Sequence, residues 1–169
     1  MKISRIITHN DFDGVTSGAV ASEALGCEKV IFTGPNAIAR AEVSIGPNDL
    51  VCDLPYPLEC GMWFDHHPGN LEALTLRGIE LSSIKGRFKE APSCARVIYE
   101  YFIEEGASFP EHFDDMVAEA DVIDSFNYKS VEEWREETPG KLIDMSIKAQ
   151  YSHPRERTCL LYTSPSPRD

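Results

Sequence analysis

The sequence has few basic residues and no long apolar run. Lys and Arg total 16 against 28 Asp and Glu, which gives a formal net charge of −12. This balance argues against broad contact with duplex nucleic acid or an anionic membrane. No apolar stretch approaches the roughly 20 residues that span a bilayer, and the opening "MKISRII" is too short for a secretory signal. We therefore predict no membrane association, while a small anionic substrate stays possible if bound cations reverse the local field.

Cysteine pairs with metal-site spacing are also lacking. The five cysteines are odd in number and none forms a CxxC pair; they are Cys27, Cys52, Cys60, Cys94 and Cys159. Such cysteines are typical of reduced thiols, so we predict a cytoplasmic protein. No histidine lies in a convincing Ser-His-Asp pattern, which disfavours nucleophilic catalysis by serine.

Short apolar strands and helices alternate along the first 70 residues. The predicted strands are "SRIITH", "KVIFTG", "DLVCDL" and "GMWFDH", with one helix after Gly14 and a weaker one in "NAIARAEVSI". This alternation predicts an α/β fold, a Rossmann-like parallel sheet flanked by helices. Three further helices are predicted in "APSCARVIYEYFIEEG", "PEHFDDMVAEADVID" and "PGKLIDMSIKAQYS". We interpret "IKGRFKE" as a solvated loop.

The last twelve residues differ from the rest. The segment "TCLLYTSPSPRD", residues 158–169, has no periodicity and carries Ser-Pro-Ser-Pro. We interpret it as translated read-through of a sequencing adapter, and a native disordered tail is the alternative. The predicted domain is therefore residues 1–157, followed by a non-native tail at 158–169.

The stretch "HNDFDG" places three potential metal ligands directly after the first predicted strand. His9, Asp11 and Asp13 occupy alternate positions and Gly14 follows. In parallel α/β sheets, ligands bind beyond the carboxyl ends of the strands. Alternate side chains of an extended segment point to one side, so all three could face a common site. Alone, the stretch is equally compatible with an Asp-rich turn in which Asp13 caps the next helix.

Two more predicted strands end in acidic or histidine residues. Asp53 closes one, and Asp65, His66 and His67 close the next. Since neighbouring side chains of an extended segment point opposite ways, one histidine could ligate a metal while the other faces a substrate. Mixed Asp and His sites suit manganese. Two such ions clamp a phosphoryl group and supply a hydroxide at neutral pH. These segments together predict a two-metal site for phosphate chemistry.

These motifs resemble those of the DHH phosphoesterase superfamily. "HNDFDG" is similar to its His-x-Asp-x-Asp-Gly motif, and "FDHH" to its Asp-His-His motif. Asp53 in "VCDLP" stands where the family has a single Asp, and "AEADVIDSFNY" resembles its fourth motif. All four occur in the family's order, across about residues 6–128. The resemblance implies a DHH domain and a manganese-dependent phosphoesterase, with Mg²⁺ or Co²⁺ as alternative ions.

The resemblance also implies a role for each position. His9 and Asp11 would hold one ion, Asp53 would bridge the two ions, and Asp13 and His66 would hold the other ion with an Asp of the fourth motif. That Asp is Asp124 or Asp121, and the following "SFNY" favours Asp124. Among residues acting on the substrate, His67 would face its phosphate. Asp65 would orient a histidine, as carboxylates commonly do beside metal sites.

Members of this family normally carry a separate C-terminal substrate-binding domain, often with a Gly-rich motif and basic residues. The sequence contains no such motif, so we expect an incomplete protein whose full-length form can be a homodimer. The expected substrate is a small phosphorylated molecule, a short oligonucleotide or a linear or cyclic dinucleotide. Exopolyphosphatase or pyrophosphatase activity is the alternative, but pyrophosphatases usually have three residues between His and the first Asp, where this sequence has only Asn10. A non-catalytic nucleotide-binding regulatory module is the other alternative.

Overall fold

A five-stranded parallel sheet forms the centre of the molecule. The computed structural model describes residues 2–150. The strands are β1 (Arg5–His9), β2 (Val30–Thr33), β3 (Asp49–Cys52), β4 (Met62–Asp65) and β5 (Gly86–Phe88). They lie in the order β2-β1-β3-β4-β5, and every neighbouring pair is parallel. The predicted α/β class and parallel sheet are confirmed.

Helices cover both faces of this sheet. They are α1 (Phe12–Leu25), α2 (Pro35–Ala39), α3 (Pro68–Leu76), α4 (Cys94–Glu104), α5 (His112–Ser125), α6 (Val131–Arg135) and α7 (Pro139–Gln150), and a 3₁₀ turn spans Leu81–Ser83. Helices α1, α4 and α5 pack together on one face. Ile38 of α2 and Leu74 of α3 pack on the other. The result is a three-layer sandwich with two apolar cores.

Alternation along the central strands supplies both cores. Successive side chains of a strand point to opposite faces, and strands buried on both faces read as continuous apolar runs. Strands β3 and β4 are buried at every position. The α1 face receives Ile6, Leu50 and Phe64, and the opposite face receives Ile7, Val51 and Trp63.

The sequence prediction missed helix α3 and strand β5, and it made helix α2 too long. Helix α3 follows His67 directly, with Pro68 at its first position. Strand β5 lies inside "IKGRFKE", so the solvated-loop interpretation of that run is wrong; Gly86 pairs with Trp63, and a side chain there would overlap the Trp63 backbone. Helix α2 ends at Ala39, and Ala41 takes a left-handed φ of 52°, which stops the helix.

The strand register brings the acidic motifs together. Thr8 of β1 lies beside Cys52 of β3, and Cys52 lies beside Phe64 of β4. Thr8 is followed by His9, Cys52 by Asp53 and Phe64 by Asp65. Because the strands are parallel and adjacent, these three residues emerge in a row at one edge of the sheet, which is where ligands bind in such folds.

Two other expectations concern the rest of the chain. Across residues 2–150, no helix has both the length and the apolar character needed to cross a membrane. Cys27, Cys52, Cys60 and Cys94 are all free thiols. Cys159 and the segment 158–169 lie outside the described residues, so the interpretation of that tail stays a prediction.

Candidate metal centre

The first motif spans a strand end and a helix start. Strand β1 ends at His9 and α1 begins at Phe12, so Asp13 lies in the first helical turn rather than in an extended segment. The extended conformation expected for this motif was therefore wrong, although His9, Asp11 and Asp13 all lie in the same cluster of potential ligands. Asp11 is the cap of α1, its Oδ1 accepting from the Gly14 N–H at 2.8 Å. The alternative in which Asp13 caps the helix is wrong as well.

Gly14 allows the helix to begin this close to the strand. The Thr8 hydroxyl donates to the Gly14 carbonyl at 2.7 Å. A side chain at position 14 would overlap the backbone carbonyl of His9. Only glycine lacks the Cβ that causes this overlap, so Gly14 fixes the separation between His9 and Asp13.

The first group of potential ligands consists of His9, Asp11 and Asp53. His9 Nδ1 lies 2.5 Å from Asp11 Oδ2 and 3.7 Å from Asp53 Oδ2. One ligand atom from each of the three residues falls within 4.8 Å of the others. This spacing suits a single cation bound by one imidazole and two carboxylates.

The second group consists of Asp13, His66 and Asp124. One ligand atom from each of these residues again lies within 4.8 Å of the other two. His66 Nε2 lies 3.6 Å from Asp13 Oδ2 and 3.5 Å from Asp124 Oδ2. Asp53 Oδ1 lies 3.7 Å from the same nitrogen. Asp53 therefore directs one oxygen towards each group, as a bridging carboxylate would.

Asp53 and His66 carry buried polar atoms that lack hydrogen-bond partners. Asp53 is 4% exposed and neither of its carboxylate oxygens is hydrogen-bonded; His66 Nε2 is likewise buried and unpaired. Asp53 also has a left-handed φ of 56°. Buried polar groups are almost always paired, and backbone strain concentrates at functional sites. The two residues together indicate a position prepared for a cation.

The hydrogen bonds of His66 determine which ring nitrogen faces the carboxylates. Its Nδ1 lies 3.0 Å from the Ala91 carbonyl oxygen, which can only accept, so Nδ1 carries the proton. Nε2 is then the unprotonated nitrogen in the neutral ring. A carbonyl that fixes the tautomer in this way is the usual arrangement around a metal-binding histidine.

Asp65 is fully buried and orients His67. Its Oδ1 accepts from His67 Nδ1 at 2.8 Å and from the His66 N–H at 2.9 Å, and its Oδ2 accepts from Asn70 Nδ2 at 2.6 Å. The two histidine rings lie 4.1 Å apart on the same side of the strand end. The expectation that they point in opposite directions was wrong: strand β4 ends at Asp65, and the regular alternation of the strand does not continue through the two histidines. The histidines differ instead in exposure: His66 is buried, and the His67 side chain is 49% exposed.

The structure separates the two aspartates of the fourth motif. Asp121 accepts from Ser93 Oγ at 2.6 Å through Oδ1 and from Arg96 Nη2 at 2.6 Å through Oδ2. Both of its oxygens are therefore already bound. Asp124, one turn later, lies beside His66 and Asp13. Of the two, it is Asp124 that joins the cluster.

Electrostatics within the cluster show strong mutual repulsion. Burial, then the charges of Asp13 and Asp11, hold the pKa of Asp53 well above its usual range. Burial and neighbouring Asp124 raise the pKa of Asp13, and burial raises the pKa of Asp124. Burial is the largest single influence on Asp11 and opposes its ionisation, but the hydrogen bond and charge of His9 together with the hydrogen bond from the Gly14 N–H outweigh it, so the pKa of Asp11 is lowered. Carboxylates assembled in this way require positive charge to ionise together.

An open cleft of about 360 Å³ adjoins the first ligand group. It is lined by His9, Asp11, Pro35, Asp53, Pro55, His67, Pro68, Gly69 and Asn70. None of these lining residues is lysine or arginine, so His9 and His67 are the lining side chains that can carry positive charge. Bound cations would add to the attraction for an anion.

Comparison with known proteins identifies the fold. No protein-family model and no curated protein matches the sequence. A solved structure described as a pGpG-specific phosphodiesterase, PggH, from Vibrio cholerae is 22% identical with a TM-score of 0.61, over 89% of this chain and 53% of that one. An uncharacterized protein from Helicobacter pylori G27 is 13% identical with a TM-score of 0.56, over 92% of this chain and 52% of that one. The chain thus spans about half the length of these solved structures, and the likeness establishes its fold.

Proposed function

We propose that this chain is the catalytic domain of a metal-dependent phosphoesterase of the DHH type. His9 and Asp11 would hold one divalent cation, Asp13, His66 and Asp124 would hold the other, and Asp53 would contribute to both. The observation that carries this proposal is the buried, unpaired state of both Asp53 oxygens and of His66 Nε2. The order and spacing of the four sequence motifs, which resemble those of DHH phosphoesterases, support it independently.

The donor set fits two hard or borderline divalent cations, Mn²⁺ above all. Four carboxylates and two imidazoles form the proposed ligand set, His67 lies near enough to Asp53 and His66 to form a third such group, and no thiol takes part among the described residues. Carboxylate and imidazole ligands suit manganese, with Mg²⁺ and Co²⁺ as alternatives. When bound, two such ions offset the carboxylate charge, bind phosphoryl oxygens and activate water for attack on phosphorus.

The protein's own contribution begins with placing His67 at the cleft. Its hydrogen bond to Asp65, despite some opposing burial, raises the pKa of His67. The raised pKa favours the cationic ring, and its Nδ1 is already bound to Asp65. Nε2 is then the donor available to a substrate phosphate. Asp65 acts through His67 as a positioning residue, because its oxygens are fully engaged.

The substrate we propose is a short oligonucleotide or a linear or cyclic dinucleotide. The Vibrio cholerae structure that shares this fold is described as specific for pGpG. The cleft beside the cluster is lined by Pro35, Pro55 and Pro68 and by no lysine or arginine. Apolar walls suit a sugar or base, whereas a polyphosphate chain carries a charge on every unit and would require cations along its length. This lining favours the nucleotide substrate over polyphosphate or pyrophosphate.

Hydrolysis of pGpG with Mn²⁺ tests the proposal. The 169-residue chain is expected to release GMP with Mn²⁺ and to stop when the metal is chelated. His66→Ala and Asp53→Asn should each reduce the rate by at least a thousand-fold, since each removes a proposed ligand of the activating ions. Asp115→Asn is the matched control, because Asp115 is an exposed acid on α5 outside the cluster.

Three results would count against this proposal. Activity that persists in His66→Ala would show that the reaction does not need this proposed metal ligand. Faster release of phosphate from tripolyphosphate than of GMP from pGpG would favour the polyphosphatase. Binding of pGpG without turnover, with no manganese retained, would instead identify a non-catalytic nucleotide-binding module.

A further inference from the structure

Helices α4 and α5 are tied together beside the second ligand group. Asp121 of α5 accepts three hydrogen bonds from α4: from Ser93 Oγ at 2.6 Å, and from Arg96 Nε and Nη2 at 2.9 and 2.6 Å. Arg96 and Asp121 are both partly buried. We call these three residues the α4–α5 clamp. Bidentate contact between guanidinium and carboxylate fixes geometry more strictly than a single ion pair does.

The same turn of α4 also holds Asp13. The N–H groups of Cys94 and Ala95 donate to the Asp13 carboxylate at 2.7 and 2.8 Å. Ser93 caps this turn by accepting from the Arg96 N–H at 3.0 Å. The start of α4 thus contacts both Asp13 and α5. It therefore fixes the position of α5 relative to Asp13, which is a proposed ligand.

Asp124 depends on the position of α5. It lies one turn after Asp121, in the last turn of α5, where the helix ends at Ser125 and Phe126 takes a left-handed φ of 54°. Helix ends fray readily. A tie one turn earlier would limit that motion, because residues three apart lie on the same helix face.

We propose that Asp121 is a positioning residue and that the α4–α5 clamp sets the register of α5, so that Asp124 meets Asp13 and His66. This inference rests on the proposed metal centre and extends it. It assigns the two aspartates of the fourth motif different functions. Asp124 binds the cation, and Asp121 binds α4.

Manganese titration of the 169-residue chain by calorimetry or electron paramagnetic resonance tests the inference. Arg96→Ala and Asp121→Ala should each weaken binding of one ion by about ten- to hundred-fold, the usual effect of losing a partner that orients a ligand. Asp121→Asn, which keeps an acceptor for Ser93, should weaken it less than Asp121→Ala. The double variant with Arg96→Ala and Asp121→Ala should bind manganese no more weakly than the single variant with the lower affinity, because both changes open the same clamp.

Tyr99→Phe is the matched control. The Tyr99 hydroxyl of α4 donates to Asp114 of α5 at 2.5 Å, in the first turn of α5 and away from the cluster. This variant also loses one polar tie between the same two helices. It should lower thermal stability and leave manganese affinity unchanged, which separates positioning from a general loss of contact between the two helices.

The sign of the Arg96→Ala effect separates the inference from its rival. If Asp121 were itself a ligand, releasing it from Arg96 would leave manganese affinity unchanged or increase it, and that result overturns the clamp while leaving the proposed function intact. Equal loss of affinity in Tyr99→Phe would overturn it as well. A wild-type chain that binds no manganese would overturn both proposals.

Discussion

Asp13 and Cys94 are separated by 81 positions in the sequence, yet the Cys94 N–H donates a 2.7 Å hydrogen bond to the Asp13 carboxylate. The next residue, Ala95, donates a second bond at 2.8 Å. The first turn of a helix has free N–H groups and a partial positive charge, so it stabilises an anion. One helix start thus compensates part of the charge that the cluster concentrates at Asp13.

Substitutions of Asp13 should separate this structural function from the proposed metal binding. Asp13→Ala leaves two buried N–H groups without an acceptor, at a cost of about 1–3 kcal/mol for each amide. Removing a carboxyl whose pKa is raised by burial and by Asp124 offsets part of this cost, and the free energy of unfolding should still fall. Asp13→Asn keeps one acceptor oxygen and should lose less. Both variants should lose hydrolysis. Urea denaturation measures the stabilities, with Asp115→Asn as the reference, and an Asp13→Ala variant as stable as wild type would contradict the helix-start interpretation.

Asp53→Asn should improve the stability of the metal-free protein while abolishing manganese binding. The variant removes a buried carboxyl whose pKa is raised by burial and by Asp13 and Asp11. Asparagine also tolerates the left-handed backbone that position 53 adopts. We expect a gain of about 1 kcal/mol, the common size of a stabilising substitution at a strained functional site. Thermal melts with and without Mn²⁺ measure both effects, and wild-type protein that melts higher than the variant without metal would contradict the prediction.

The parallel sheet could be predicted because its central strands are buried on both faces and therefore read as apolar runs. Strands β1, β3 and β4 belong to this class, and each ends in a polar motif. Strand β5 could not be predicted in this way. Its three residues are only half-buried, and two of them are Gly86 and Arg87, which do not form an apolar run. Its pairing with β4 decides its conformation. Local sequence carries little information about such tertiary pairing.

The cluster itself could be inferred from the motifs, whereas the groups that orient it could not. Ala91 contributes only a backbone carbonyl to His66, so no side chain marks it. Cys94 and Ala95 likewise act through their N–H groups. Asn70 binds Asp65 from helix α3, which the sequence prediction missed, so this bond became visible only in the fold.

Asn70→Ala should lower the turnover rate more than it lowers stability. Asn70 Nδ2 donates to Asp65 at 2.6 Å, and Asp65 in turn holds His67. Without Asn70 the buried carboxylate gains freedom to turn, so His67 is less well placed for phosphate. We expect kcat for pGpG to fall about ten-fold or more, in line with other groups that orient functional histidines. Thr75→Ala is the control on the same helix, since the exposed Thr75 hydroxyl bonds only to the Leu71 carbonyl, and equal effects of the two substitutions would refute the prediction.

Arg5 and Asp49 should make stability depend on pH at the opposite edge of the sheet. Arg5 Nε and Nη2 contact the two Asp49 oxygens at 2.9 and 2.5 Å, and the Gly46 N–H donates to Asp49 at 2.8 Å. Burial is the largest single influence on Asp49 and opposes its ionisation, but the hydrogen bonds from Arg5 and the Gly46 N–H, together with the positive charge of Arg5, outweigh it, and the pKa of Asp49 is lowered in the folded protein. A lowered folded-state pKa means that the unfolded chain takes up the proton first as the pH falls.

The stability that Asp49 contributes is therefore complete above the unfolded value of about 3.9 and is lost as the pH falls through the lower folded pKa. Asp49→Asn should cost about 1.5–3 kcal/mol near pH 7, the range for hydrogen bonds to charged groups. The difference from wild type should shrink below about pH 4, where protonation removes the same charge. Glu100→Gln, which breaks the more exposed pair with Lys89, should cost less than about 1 kcal/mol at any pH. Urea denaturation between pH 3 and pH 7 measures both, and a cost of Asp49→Asn that grows towards acid would show that the sign assigned to this pair is wrong.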